Sequence, residues 1–193
     1  KSPNMKHIYE YLNKFKTFSV FNDLFDQSKL DWKLNEKIVS FSENFSGKQK
    51  DDFFENFIKF LSNKKLIKTS MNLDIDFSVS GEGYARGAHR DRETRVLNFL
   101  IYLNEFNKED GGLFELYDNT FLDFNLQDQY PRFPDLKKVS LKKSILPKAG
   151  KMVIFLSTPN SYHAASPFFS KSRKRIFIYG SYSLNKKTNW SKS

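Results

Sequence analysis

Chemistry in this sequence concentrates on His89-Arg90-Asp91 and on His163. The chain has three histidines, and the remaining one is His7. In an extended segment, residues two apart project to the same face, so one imidazole and one carboxylate reach one metal ion. His163 follows the turn Thr158-Pro159-Asn160-Ser161, just past an expected strand over residues 151–156. An imidazole from a neighbouring strand would complete a set of two histidines and one carboxylate on one face of the ion. Such a set leaves three coordination positions open, the usual arrangement of non-haem Fe(II) oxygenases, where a 2-oxo acid fills two and O2 the third. Zinc hydrolases draw on the same ligand types, so the ligands alone leave both chemistries open.

A second feature bears on that choice. Twelve residues after His163, Arg175 opens the run Arg175-Ile176-Phe177-Ile178-Tyr179-Gly180-Ser181-Tyr182, which reads as a buried strand. A cation at the start of such a strand is costly unless paired. A dicarboxylate cosubstrate would provide the partner through a planar bidentate fork. Tyr102, in Ile101-Tyr102-Leu103-Asn104, can offer a hydroxyl to the same carboxylate. The plain alternative makes Arg175 a surface residue at a strand end and Tyr102 a core residue.

The motifs fall in a family order. His89-Arg90-Asp91 is followed by Ile101-Tyr102-Leu103-Asn104, then by Gly111-Gly112-Leu113-Phe114. Next come Pro147-Lys148-Ala149-Gly150-Lys151-Met152-Val153-Ile154-Phe155 and His163 with Pro167 four residues on. From about Val79 to Leu184 the chain resembles the 2-oxoglutarate/Fe(II) dioxygenase superfamily, above all its prolyl 4-hydroxylase-like branch. The resemblance implies a double-stranded β-helix (jelly roll) with iron at one open end. It implies that His89, Asp91 and His163 bind Fe(II) and form the catalytic centre. It implies that a basic residue ten to twelve positions after the second histidine binds the distal carboxylate of 2-oxoglutarate. Arg175 fits at twelve and Arg173 at ten; Arg175 is preferred because it begins the apolar strand, with Tyr102 sharing the carboxylate. The implied cofactors are Fe(II), 2-oxoglutarate as cosubstrate and O2, and ascorbate is compatible with them.

The implied reaction is hydroxylation of a C–H bond coupled to conversion of 2-oxoglutarate to succinate. Its leading substrate is a prolyl residue in a peptide or protein. Asp91 occupies the position a halide would need, which argues against a halogenase. The chain departs from the branch before the iron motif: Tyr84 lies five residues ahead of His89, and Arg86 three ahead. Arg86, Arg90, Arg92 and Arg95 cluster there; they would steer an acidic substrate, or form a solvated loop. Two rival functions stand beside the leading one. A nucleotide or small-metabolite hydroxylase or demethylase suits the positive charge. A non-catalytic β-barrel binding module is disfavoured by the intact ligand set.

The positioning elements are expected in two blocks within one domain of residues 1–193. Residues 1–65 read as helical support, with helical periods over 6–15 and 50–61; in the second, Phe53, Phe54, Phe57, Ile58, Phe60 and Leu61 mark one face. Residues 66–193 read as the β core, with strands over 74–79, 94–103, 113–117, 151–156 and 175–182, separated by glycine and proline turns. Helices first and short strands after give an α+β, mainly β fold: an antiparallel sandwich or barrel with helices packed outside. Residues 118–146, with Pro131 and Pro134, read as a long excursion between strands, either a lid or disorder.

Composition frames these readings. Hydrophobic residues make up 39% of 193, with 21 Phe, enough for a packed core. The absence of cysteine excludes disulfides, zinc fingers, iron–sulfur clusters and thiol nucleophiles, and is compatible with the cytoplasm. The formal charge of +10 favours anionic partners, namely nucleic acid, phosphorylated metabolites or acidic surfaces, although its lysines are scattered along the chain. No apolar run approaches membrane-spanning length, and no membrane partner is expected.

Overall fold

The computed structural model describes residues 31–35, 38–41, 69–119 and 127–192. The helices expected over 6–15 and 50–61 lie outside the described residues. Within them the chain is mainly β. Eleven strands run in order: β1 (Trp32–Leu34), β2 (Ile38–Phe41), β3 (Thr69–Ser80), β4 (Arg86–His89), β5 (Arg95–Tyr102), β6 (Phe114–Asp118), β7 (Ser140–Ile145), β8 (Met152–Leu156), β9 (His163–Ala165), β10 (Arg175–Leu184) and β11 (Trp190–Lys192). The helical pieces among the described residues are 3-10 turns at Lys108–Asp110, Gln127–Gln129 and Leu136–Lys138.

Two sheets carry the architecture: five strands in the order β2-β3-β10-β5-β8, and four in the order β4-β9-β6-β7. A third, small sheet joins β1 to β11. The central strands β5 and β10 read as near-continuous apolar runs because both of their faces are covered. Alternation then sorts their side chains. Leu97, Phe99, Ile101 and Ile178 enter one cluster with Trp32, Tyr130 and Trp190. Leu100, Tyr102 and Phe177 enter the other, with Phe114 of β6 and Val153 of β8. Phe114 meets Phe155 at 5.6 Å between ring centroids, so the two large sheets pack face to face through this second cluster.

Register on β10 explains a glycine in mid-strand. Gly180 lies opposite Phe99 on β5, and the Phe99 ring fills the space a Cβ would need. A close approach of this kind is a standard reason for glycine inside a strand.

The five strands expected from sequence all occur, with shifted ends. Two expectations need correction. Residues 118–146 are not a strandless excursion: 140–145 form β7, which pairs antiparallel with β6. Its Ser140-Leu141-Lys142-Lys143-Ser144-Ile145 sequence is almost wholly exposed, as suits a lysine-bearing edge strand with little apolar alternation. Within residues 1–65, expected as helical support, Trp32–Leu34 form β1 and Ile38–Phe41 form β2, which pair with β11 and β3 of the β core. His163 follows β8 and its turn as expected, and it begins the neighbouring strand β9, whose three residues are too few to show a period.

Candidate active site

Strands β4 and β9 are hydrogen-bonded neighbours in antiparallel register, and that register sets His89 opposite His163. Their ring centroids lie 4.4 Å apart. Asp91 stands just past the end of β4. All three side chains are buried, and one ligand atom from each lies within 4.8 Å of the others. Asp91 Oδ2 is 3.4 Å from His163 Nε2.

The hydrogen bonds behind these groups decide which atoms face inward. His89 Nδ1 lies 2.8 Å from the Gly87 carbonyl, and His163 Nδ1 lies 3.1 Å from the Ser161 carbonyl. A carbonyl only accepts, so each Nδ1 carries the proton and each Nε2 presents a lone pair. Arg95 Nη1 donates to Asp91 Oδ1 at 2.7 Å and leaves Oδ2 free. His89 Nε2 and Asp91 Oδ2 are buried and have no hydrogen-bond partner. Buried polar atoms are rarely left so. A divalent cation at their common point satisfies both, so the donor set fits a metal of the Fe(II) type.

Electrostatics agree with that fit. Burial, reinforced by the charge of His163, pushes the His89 imidazole down from 6.5 to about 4. Burial also lowers His163, with Asp91 opposing it. Both rings are therefore neutral near pH 7, and no proton competes for the lone pairs. Phe155 and Phe114 contact the His163 ring, at 4.7 and 5.6 Å between centroids, and wall that side with apolar surface.

Arg175 points into the same cavity, a space of about 310 Å³ that His89 and His163 also line. It is 1% exposed, yet no carboxylate pairs with it among the described residues. Its Nε donates to the Gly112 carbonyl at 3.2 Å, its Nη2 lies 3.4 Å from the Tyr102 hydroxyl, and its Nη1 has no partner. The guanidinium stacks over Phe177 at 4.2 Å. Gly112 makes this packing possible: with φ at 65°, a Cβ there would lie 2.9 Å from the Phe168 ring and 3.3 Å from Arg175 Cδ. A buried, uncompensated cation calls for an anionic ligand.

The other sequence candidates fall in different places. Tyr102 is fully buried behind Arg175 and is not part of the cavity lining. Burial raises its phenol, with Arg175 opposing, so it remains a protonated neighbour of the guanidinium. Arg173 lies away from the cavity. Its Nη1 pairs with Asp110 at 3.2 Å, and it lines a separate depression with Glu105 and Lys148. Of the two arginines proposed for one carboxylate, the fold brings only Arg175 to the histidines.

Several groups escaped sequence reasoning. The sequence offers Arg95 as one of four clustered arginines, steering an acidic substrate or solvated, whereas in the fold it is the partner of Asp91. It also donates to the Tyr179 hydroxyl, which in turn donates to Asn98 Oδ1 at 3.0 Å. A further wall comes from residues 127–133. Gln127 Oε1 accepts from the Trp190 amide at 2.9 Å, Tyr130 packs edge-on against Trp32, and Tyr162 donates its hydroxyl to the Pro131 carbonyl at 2.9 Å. The Arg90 amide donates to the Arg132 carbonyl at 2.9 Å, tying this wall to the His89-Arg90-Asp91 motif. Arg132 thereby reaches the cavity, and Phe133 lies 6.4 Å from the His89 ring. No periodicity announces these contacts, because each depends on a long-range partner.

Comparison with known proteins settles the family. The model of the 2OG-Fe(II) oxygenase superfamily matches residues 75–181, which contain the two histidines, Asp91, Arg175 and every residue that lines the cavity. The chain belongs to that superfamily, as the motif order over 79–184 implies. It is similar to a prolyl 3-hydroxylase OGFOD1 of Xenopus laevis, 27% identical over 161 residues, covering 82% of this chain and 28% of the relative. It is also similar to the Mus musculus OGFOD1, 29% identical over 129 residues, covering 66% of this chain and 21% of that protein. The chain thus spans under a third of the curated relatives it matches. Among solved structures, a Pseudomonas putida prolyl-4-hydroxylase is 23% identical, with a TM-score of 0.41, over 57% of this chain and 52% of that one. No helix among the described residues is long and apolar enough to cross a membrane.

Proposed function

We propose that this chain is an Fe(II)- and 2-oxoglutarate-dependent dioxygenase that hydroxylates a prolyl residue in a peptide or protein. The observation that carries the reading is the meeting of two unsatisfied elements in one cavity. His89 Nε2 and Asp91 Oδ2 are orphaned beside His163, and the buried Arg175 guanidinium has an orphaned Nη1 and no carboxylate partner among the described residues. One element asks for a divalent cation and the other for a carboxylate, and the named cosubstrate joins these two requirements. The similarity to two prolyl 3-hydroxylases supports proline as the target.

In this reading His89, Asp91 and His163 hold the ion, and Arg175 binds the distal carboxylate of 2-oxoglutarate. When bound, iron and cosubstrate supply the oxidising chemistry that hydroxylates the substrate and releases succinate. The remaining roles belong to the chain. Arg95 fixes the Asp91 carboxylate so that one oxygen is presented. The Gly87 and Ser161 carbonyls hold both imidazoles in the metal-binding tautomer. Phe114 and Phe155 exclude water. Tyr102, a protonated phenol, steadies Arg175 from behind. The face-to-face sheets support the view that residues 66–193 form a double-stranded β-helix in one domain with residues 1–65, whose strands β1 and β2 pair with β11 and β3.

The test is reconstitution of the apoprotein with Fe(II) under nitrogen, followed by 2-oxoglutarate, O2, a panel of proline-containing peptides and ascorbate as reductant. Succinate release that requires Fe(II), together with gain of one oxygen on proline, is the expected result. Succinate release without any oxidised peptide would remove the prolyl substrate. Absence of Fe(II) binding would remove the whole reading.

A further inference from the structure

The cavity holds more positive charge than the cosubstrate can answer. Five arginines line it: Arg86, Arg92, Arg95, Arg132 and Arg175. Among the described residues that line it, the acidic group is Asp76. Arg95 is neutralised by Asp91. Under the function proposed above, the 2-oxoglutarate dianion balances the ferrous ion. Set against all five guanidinium groups, the Asp91 and Asp76 carboxylates leave the described lining with a net surplus of three positive charges. Arg86, Arg92 and Arg132 have no carboxylate partner among the described residues.

These three arginines line the cavity together with both histidines. Arg86 opens β4, the strand that ends on His89. Arg92 directly follows Asp91, and Arg86, Arg92 and Arg132 are all exposed. Arg132 is held by its carbonyl to the Arg90 amide and stacks over Phe133 at 5.3 Å. Phe133 is 68% exposed, so the wall offers an apolar plate next to a cation. Three like charges around one small cavity repel one another, and an anionic ligand relieves that repulsion.

We infer that the substrate of this site is an acidic peptide segment, with Asp or Glu side chains near the target residue contacting Arg86, Arg92 and Arg132. The inference rests on the dioxygenase reading and deepens it by naming the substrate chemistry. A peptide fits better than a nucleic acid, because these cations converge in a cavity of about 310 Å³. A nucleic-acid footprint spreads instead as a stripe or patch along a surface.

The experiment compares peptides of one length. A central proline is flanked by Asp and Glu, by Asn and Gln, or by Lys; a fourth peptide keeps the acidic flanks and replaces proline by alanine; a single-stranded RNA is the fifth probe. Binding to the Fe(II)- and 2-oxoglutarate-loaded enzyme under nitrogen is read by fluorescence anisotropy, and turnover by mass. The acidic proline peptide is expected to bind about tenfold tighter than the neutral one, with the advantage shrinking as salt rises. In the double variant Arg92→Glu/Arg132→Glu the order is expected to reverse in favour of the Lys-flanked peptide. That reversal is a gain which misfolding would not produce. Equal binding and turnover of acidic and neutral peptides would overturn the inference while leaving prolyl hydroxylation standing. Preference for acidic flanks in both proline and alanine peptides, with no proline oxidised, would sustain the inference and remove proline as the target. Tight RNA binding that displaces every peptide would overturn it.

Discussion

Arg95 Nη1 lies 2.7 Å from Asp91 Oδ1, and this contact determines which carboxylate oxygen the metal triad receives. With Oδ1 occupied by a guanidinium, Oδ2 faces His163 Nε2 at 3.4 Å without another partner. Arg95 is itself held by the Tyr179 hydroxyl, which donates to Asn98 Oδ1. The carboxylate is therefore steered by a chain of side chains from β5 and β10. Outer partners of this type typically account for 10–100-fold in metal affinity. Arg95→Ala is expected to weaken Fe(II) binding by about tenfold or more on that basis. Arg95→Lys keeps the charge but loses the fork, and should fall in between. Anaerobic Fe(II) titration checks both, and unchanged affinity in the alanine variant would show that Asp91 needs no steering.

Arg175 gives a prediction with two opposing signs. The guanidinium is buried and lacks an anionic partner among the described residues, so it should destabilise the protein before any ligand binds. Arg175→Met keeps the stem's apolar contacts with Phe177 and deletes the charge. The variant is expected to melt at or above the wild-type temperature without ligand. Saturating 2-oxoglutarate at about 100 times Kd should stabilise wild type by about 2.7 kcal/mol, which is several degrees in a chain of this size. The variant should show almost none of that shift. A variant that keeps the ligand-induced shift would exclude Arg175 from the carboxylate site.

The sequence disclosed the parts of this site whose spacing is local and left out those created by distant pairing. His89 and Asp91 were legible because two-residue spacing has a fixed meaning in extended backbone. His163 and Arg175 were legible because each is attached to a strand strong enough to read, β8 before one and β10 from the other. The choice of Arg175 over Arg173 followed from the apolar run that Arg175 opens, and the fold brings that residue to the cavity. Arg95 stands in the same kind of local context as Arg86 and Arg92. What distinguishes it is Tyr179, 84 residues away, which no local pattern encodes. The anchors of residues 127–133 were hidden for the same reason: Gln127 is held at Trp190, and Pro131 at Tyr162. Strand β7 was missed because an exposed edge has no apolar alternation to display.

Gly180 tests the packing that keeps the two central strands together. A methyl group at this position would run into the Phe99 ring on the paired strand. Overpacking of a tight core typically costs about 1–3 kcal/mol, and Gly180→Ala is expected to fall in that range by chemical denaturation. Shrinking the opposing ring should relieve the clash. In the double variant Gly180→Ala/Phe99→Leu the loss should be smaller than the sum of the two single losses, with an interaction of about 1 kcal/mol. Strict additivity would mean that the strands part freely here and that Phe99 does not set their separation.

Tyr162 supplies a pH-dependent prediction for the wall over the triad. Its hydroxyl donates to the Pro131 carbonyl at 2.9 Å, and the side chain is 1% exposed. Burial, opposed by the charge of Arg90, pushes the phenol up from 10.0 to about 12. Because the folded value lies above the unfolded one, the contribution is fully present below about pH 10. It is lost as pH rises toward 12, since the unfolded chain ionises first. Tyr162→Phe removes both the hydrogen bond and the titration. At pH 8 the variant is expected to be less stable by about 1 kcal/mol, with faster amide exchange at residues 130–133. Between pH 10 and 12 wild type should lose more stability than the variant, by about 2 kcal/mol for a two-unit shift. Parallel stability curves for the two proteins across that interval would mean that the Tyr162 hydroxyl is not buried against the wall in solution.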